Sequence, residues 1–274
     1  MARPFAFGGG KFGRKDQDAR RMPFVYRPPA RAEGPRRMPI NTLPGDVRMT
    51  HRVVTPKILY FGTPVVLVST LNEDGSPNLA PMSSAWWLGT SCVLGLSARS
   101  KTTHNLRRTG ECVLNLPSAE MVDAVDRLAL LTGSDPVPEY KQAMGYRHEP
   151  RKFAAAGLTA VPADLVGPPR VHECPVQMEA VVQQMHPVGG PDRHLTMIEV
   201  SVTRVHADED ILLPGHPSHF DPDRWRPLIM SFCEFYGLGG KVHPSRLAAA
   251  YAPGAESAGP APSRQAPGGV PAGR

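Results

Sequence analysis

Cysteine is scarce: the 274 residues contain four, Cys92, Cys112, Cys174 and Cys233, with no CxxC pair among them. That spacing argues against a zinc ribbon or a dithiol redox motif, and the apolar surroundings of Cys92 and Cys112 predict buried free thiols. Ten histidines are present, but without HExxH or a Cys/His array they build no zinc centre. His216 and His219 in GHPSHFDPDRW read as part of a polar loop, with His219 beside a substrate pocket as the alternative. Long apolar runs are absent too. No stretch approaches the ~20 residues of a membrane span, and the start MARPFAFGGGKFGRK lacks the apolar segment of a secretory signal. The expectation is a cytoplasmic protein with no membrane contact. Also missing are GxGxxG, a P-loop and GxSxG, which weakens the Rossmann dehydrogenase, nucleoside triphosphatase and α/β-hydrolase readings.

Proline and glycine are abundant, 31 and 26 residues, and they concentrate toward the ends. Residues 1–45 hold ten Lys or Arg against three acids, and residues 252–274 carry a net +1, so of the formal +6 about −2 is left for the intervening chain. The basic balance therefore belongs to the leader. With no zinc-finger, RNA-recognition or helix-turn-helix signature beside it, this leader reads as a solvated or partner-covering extension rather than a specific nucleic-acid binder. The organisation expected is a basic Pro/Arg-rich extension over 1–50, one folded domain over 51–245, and a disordered Pro/Gly/Ala tail over 246–274.

Within the domain, VVLVST after Pro64 predicts a strand, and Asn72, Glu73, Asp74 and Gly75 supply the turn of a hairpin. The return strand begins near Pro77. Pro81 cannot donate to a ladder, so the sheet is expected to be interrupted or at an edge there. Val93, Leu94 and Leu96 mark a third strand. Ser100 caps a predicted helix over Lys101–Arg108 that Gly110 ends, and Cys112–Leu116 restore a strand. A second helix is expected from Ser118 to about Leu131, with Met121, Val125 and Leu128 on one face. Residues 134–170 read as a helical or loop insertion over a site, with short helical pieces at Tyr140–Met144 and Arg151–Ala156. CPVQMEAVVQQMHPV and HLTMIEVSVTRVHA alternate as strands, and ILLP reads as a final edge. Strands separated by turns or single helices favour a mainly β, largely antiparallel barrel with short helices over a doubly wound sheet.

SARSKTTHNL combines charge from Arg99 and Lys101, hydroxyls from Ser100, Thr102 and Thr103, and the free N–H groups of a helix start, which together suit a terminal phosphate. The competing reading is an ordinary capped surface helix. Ser83 and Ser84 are placed to hydrogen-bond a ligand if the two segments meet at one rim. Trp86 and Trp87 read as core or subunit-interface residues rather than stacking partners.

The segments PVVLVSTLNEDGSPNLAPMSSAWW, SCVLGLSARSKTTHNLRRTGECVLNLPS, ECPVQMEAVV and HLTMIEVSVTRVHADEDI resemble the flavin reductase-like, FMN-binding split-barrel family, which includes flavoredoxin-like proteins and reductase components of two-component monooxygenases. The resemblance spans approximately residues 55–240. It implies a split β-barrel, FMN as cofactor and NADH or NADPH as electron donor. It also implies that Asn78, Ala80, Met82, Ser83, Ser84 and Ala85 line the flavin, and that Arg99, Ser100, Lys101, Thr102, Thr103 and Asn105 hold its phosphate end. A homodimer, a small-molecule redox substrate and a partner monooxygenase are the implied partners. The implied activity is hydride transfer to FMN. An FMN-binding electron carrier or redox sensor and a flavin oxidase or oxygenase acting on a small organic substrate stand as alternatives.

Overall fold

The computed structural model describes residues 51–190 and 194–253. The basic extension 1–50 and the tail from 254 lie outside the described residues. The chain divides between Val54 and Thr55, and the fold below is that of the unit from Thr55 onward.

A short β1, Phe61–Pro64, precedes β2, Val66–Leu71, which is buried on both faces, as a near-continuous Val/Leu run requires. Asn72–Gly75 turn the chain, with Gly75 at φ 81° and its N–H donating to Asn72 O. β3, Pro77–Met82, returns beside β2 and has no other partner among the described residues, so Pro81 sits on an edge as its missing N–H demands. Ser83 and Ser84 lead into β4, Ala85–Leu88, and β5, Ser91–Ser97. Helix α1, Lys101–Thr109, forms where its caps predict. Ser100 Oγ accepts from Thr103 N at 3.1 Å, and Gly110, at φ 73°, donates to Leu106 O. β6, Glu111–Leu116, follows.

The helix expected over Ser118–Leu131 is shorter than its periodicity suggests. A 3-10 turn at Ala119–Met121 leads into α2, Val122–Asp126, and Ser118 bridges Pro227 instead of capping. Packing overrides the pattern: Val125, Leu128 and Leu131 all join one apolar cluster, and Leu131–Thr132 become β7. The insertion contains α3, Glu139–Gln142, β8, Arg147–His148, α4, Lys152–Ala156, β9, Ala160–Val161, and β10, Arg170–Val171. Two long strands follow, β11, Val176–Val188, and β12, Leu195–Ala207. ILLP makes no edge of the main sheet: β13, Leu212–Leu213, pairs with β14, His216–Phe220, so the first part of the segment expected as a polar loop is a strand, while residues 221–226 form a turn and loop as expected. Last come β15, Leu228–Ser231, and β16, Glu234–Gly237, a hairpin that pairs with β1. Its sequence carries little alternation to announce it. Arg246–Tyr251 form a 3-10 helix.

The main sheet runs β3-β2-β6-β11-β12-β5-β4, and every pair in it is antiparallel. Its edge strands β3 and β4 are consecutive in the chain and separated only by Ser83 and Ser84. A two-residue link spans about 10 Å at most, so the sheet must curl until its edges approach at that end. The edges share no ladder hydrogen bonds, and the result is a split barrel. Val66, Val68, Leu94, Leu114, Ile198 and Val200 fill its interior. A second cluster on the outer face joins Val65, Leu67 and Leu79 to Val125, Phe153 and Leu228. Among the described residues no helix is long and apolar enough to cross a membrane.

Leu114 is fully buried in the barrel interior. Leu114→Ala is expected to lower unfolding free energy by about 2–5 kcal/mol in urea titration. A loss below ~1 kcal/mol would contradict a packed interior at that layer.

Candidate functional site

The Ser83–Ser84 link sits between two cavities. One, about 440 Å³, is walled by Met82, Leu96, Val125, Met230 and Phe235 and rimmed by Tyr60, Ser83 and Ser84. The other, about 570 Å³, lies on the Trp86 side of the link, against Val93, Leu195 and Met197. Two contacts hold the link. Gly95 N donates to Ser84 O at 2.7 Å, and Ser84 Oγ donates to Tyr60 Oη at 3.2 Å. A Cβ on Gly95 would lie 3.2 Å from Ser84 Cβ, so a glycine lets β5 pass this close.

The 440 Å³ cavity shares Pro81, Leu96, Ala129 and Tyr146 with a smaller one of about 130 Å³. The smaller cavity is lined by Ser100, Lys101 and Thr102 at the start of α1 and by Thr132, Lys141 and Lys152. The first N–H groups of α1 add partial positive charge. Lys152 is 3% exposed, and its Nζ donates to Asn78 Oδ1 at 3.0 Å. Burial pushes its pKa down to about 7, with Lys141 pushing the same way and Glu149 opposing. Lys141 Nζ donates to Thr132 Oγ1 at 3.1 Å, and burial lowers its pKa also. Lys101 instead donates to Glu73 Oε2 at 2.5 Å, an interaction that holds the Glu73 carboxyl below its usual range. Gly133 closes the wall: a Cβ there would fall 2.7 Å from Asn78 Oδ1 and 3.1 Å from Lys101 Cγ.

The sequence-predicted residues divide by this geometry. Met82, Ser83 and Ser84 line the larger cavity, Ala80, Ser100, Lys101 and Thr102 the smaller, and Ala85 the one beside Trp86. Asn78 is buried and lines none of these cavities but a separate one beside Glu73 and Lys101, its Nδ2 donating to Thr70 Oγ1 and Thr102 Oγ1, each at 3.2 Å. Thr103 and Asn105 are buried elsewhere. Thr103 Oγ1 donates to Ser97 O at 2.8 Å, and Asn105 Nδ2 donates to Asn72 Oδ1 at 3.0 Å, so both brace the hairpin and the helix start. Arg99 is exposed, with its guanidinium 5.9 Å from the Tyr140 ring centre. Trp87 packs on the barrel interior, while Trp86 is 54% exposed. Cys92, Cys112 and Cys174 are buried free thiols, and Cys233 is exposed. Lys141, Tyr146 and Lys152 were not foreseen, because only the return of the insertion over β3 brings them to α1.

Asp164, Glu179 and His206 cluster with metal-ligand atom types. Their acceptors are already engaged: Glu179 accepts from Asp164 N, Leu165 N and His206 Nε2, and Asp164 pairs with Arg204. The group pins the 160s segment to β11 and β12.

The chain matches the family described as flavin reductase like domain over residues 58–229. It belongs to that family. The membership makes the protein a flavin-related oxidoreductase. It is 38% identical over 189 residues to the uncharacterized protein YdfE of Bacillus subtilis (strain 168), covering 69% of this chain and 90% of that one. Flavoredoxin of Desulfovibrio vulgaris (Miyazaki F) is similar with a TM-score of 0.60 at 23% identity, covering 73% of this chain and all of the other. Nitrilotriacetate monooxygenase component B from Bacillus cereus follows at 0.55 and 18%, covering 67% of this chain and 88% of the other. Both structural likenesses agree with the split barrel derived from strand order.

Lys152 has an ordinary pKa of 10.5 when unfolded and about 7 when folded. Between those values the unfolded chain binds the extra proton, so this group makes stability rise with pH. Denaturant titration is expected to show the wild type gaining on Lys152→Met between pH 7 and pH 10. A difference that does not vary with pH would refute an uncompensated buried ammonium at this position.

Proposed function

We propose that the protein is an NAD(P)H-dependent flavin reductase that holds FMN along the cleft, with the ring system against Ser83–Ser84 and the phosphate among Lys101, Lys141 and Lys152. The observation that carries this reading is that a cavity of about 440 Å³, walled by Met82, Leu96, Val125, Met230 and Phe235, shares Pro81, Leu96, Ala129 and Tyr146 with a lysine-lined one of about 130 Å³ at a helix start. That pairing matches a flat aromatic head joined to an anionic end, and its size lies within the range of small-ligand sites. Bound there, FMN would supply the redox chemistry, accepting reducing equivalents from NADH or NADPH for a small-molecule acceptor.

The chain's own residues bind and orient. Leu96, Val125, Met230 and Phe235 exclude water from one side of the cleft. Ser83 and Ser84 line the cavity at the ring end, and their hydroxyls are the donors this reading assigns to negative charge that develops there. Ser100, Thr102 and the lysines take the phosphate. No side chain in this scheme moves a proton to or from substrate; positioning of two rings is the protein's contribution.

The reading includes a homodimer. Trp86 and Leu88 of β4 and Leu195 and Met197 of β12 are 54%, 74%, 44% and 37% exposed, an apolar face beside the cleft. A second copy is the occupant proposed for it. Sedimentation velocity is expected to give a dimer at micromolar concentration that Trp86→Glu weakens. A monomeric wild type would refute the assembly.

The redox reading is tested by an oxidised-flavin spectrum of the FMN-loaded protein and anaerobic mixing with NADH and with NADPH. Bleaching by at least one donor is expected; bound FMN that neither reduces would make the protein a carrier. Lys101→Ala is expected to weaken FMN retention at least about tenfold, the scale of one charge-assisted hydrogen bond. Reduction at saturating FMN should stay within about twofold in that variant. Unchanged retention with a lost reduction step would overturn the anchoring role.

A further inference from the structure

Of the four cysteines only Cys233 is exposed. Burial pushes the Cys92 thiol up to about 12 and the Cys112 and Cys174 thiols further, so none of these three supplies a thiolate at neutral pH. Ser231 pairs with Glu234 across the β15–β16 hairpin, which leaves Phe232 and Cys233 as a two-residue turn with φ of 49° and 69°. Such a turn favours Asn-Gly, and side chains at both positions are costly. Tyr60 and Phe61 hold it in place: Phe232 N donates to Tyr60 O at 2.9 Å, and the Phe232 ring stands edge-on to Phe61 with centroids 4.8 Å apart. The turn thereby keeps Cys233 in the wall of the 440 Å³ cavity, together with Tyr60, Ser83, Met230 and Phe235.

A second, independent feature of that cavity calls for a ligand. Ser83 is 7% exposed and lines the same wall. Ser84 Oγ donates to Tyr60 Oη at 3.2 Å, whereas the Ser83 hydroxyl has no hydrogen-bond partner among the described residues. A hydroxyl held this deep without a partner is unfavourable, and a polar group lodged in the cavity would relieve it. The remaining wall, with Met82, Leu96, Met230 and Phe235, suits sulfur and methylene groups.

We propose that Cys233 is a thiol-exchange site of this cavity, which takes up one half of a small disulfide with a polar end and closes the cleft while the adduct is in place. The Cys233 thiolate attacks one sulfur of the disulfide. A new S–S bond forms as the old one breaks, and the other half leaves as a thiolate that takes up the proton Cys233 gave up. The small disulfide is the oxidant, and excess small thiol reverses the exchange. The exchange needs only the cavity; its effect on cofactor binding rests on the cleft being the flavin site.

The test applies hydroxyethyl disulfide to the reduced full-length protein, as wild type, Cys233→Ser and Ser83→Ala. Peptide mass mapping should place an adduct on Cys233 and none on Cys92, Cys112 or Cys174. The rate of adduct formation should level off with rising disulfide concentration, the mark of binding before exchange. At low concentration Ser83→Ala should react at least about threefold more slowly, the scale of one neutral hydrogen bond. FMN affinity should fall at least about tenfold in the adduct, recover on adding dithiothreitol, and not respond to the disulfide in Cys233→Ser. A rate that rises linearly without limit and equals that of the urea-unfolded chain would make Cys233 an ordinary surface thiol and overturn the site, a measurement on the wild type that stands even if Ser83→Ala does not fold. An adduct that leaves FMN affinity unchanged would overturn the closing of the cleft. Failure of FMN to bind the reduced, folded wild type would overturn the flavin site, while a saturating rate would still support the exchange site.

Discussion

Two residues, Ser83 and Ser84, join strands at opposite edges of a seven-stranded antiparallel sheet, and the chain cannot satisfy that link with an open sheet. Curling the sheet encloses the interior cluster around Leu94, Leu114 and Ile198. It also leaves irregular backbone at the split, where the hydroxyls of the link face cavities on either side. Because β3 and β4 do not pair, the polar groups at the split are not consumed by a ladder between them; Ser84 is held instead by Gly95 N and Tyr60 Oη. The cleft is thus a by-product of how the barrel closes.

The second determinant is electrostatic. The lysines at the start of α1 and on the insertion outnumber the carboxylates inside the small cavity, while the carboxylates gather just outside it. The insertion therefore has two roles. Its Phe153, Ala156 and Leu158 cover the outer face of β2 and β3, and the same short helix that buries Phe153 also fixes Lys152 against Asn78. The packing of α4 holds Lys152 in a position that a solvated loop could not maintain without a counter-charge.

Local chemistry was readable wherever it completes itself over a few residues. The β2–β3 hairpin, α1 with Ser100 and Gly110 at its ends, and the edge position of Pro81 were all legible for that reason. The Ser118–Leu131 segment was misread because its helical period is real yet Leu128 and Leu131 are recruited to the outer cluster from a turn and a strand. GHPSHFDPDRW has loop composition, yet its His216–Phe220 part is a strand by pairing with Leu212–Leu213, a partner too short to be seen as one. The β15–β16 hairpin went unforeseen because its pairing with β1 joins residues far apart in the chain.

For the site, the residue types near Ser83–Ser84 and Ser100–Thr102 already specified a rim of hydroxyls and a charged helix start, since caps and turns depend on neighbours a few positions away. The sequence by itself determined the mainly β class, the hairpin, the capped helix and the family. Only the tertiary structure decided that Thr103 and Asn105 brace the scaffold and that Lys141 and Lys152 reach the cleft. The reason is distance along the chain: Lys152 meets Asn78 across 74 residues, and no local pattern encodes a contact that exists only after the insertion has packed on the sheet.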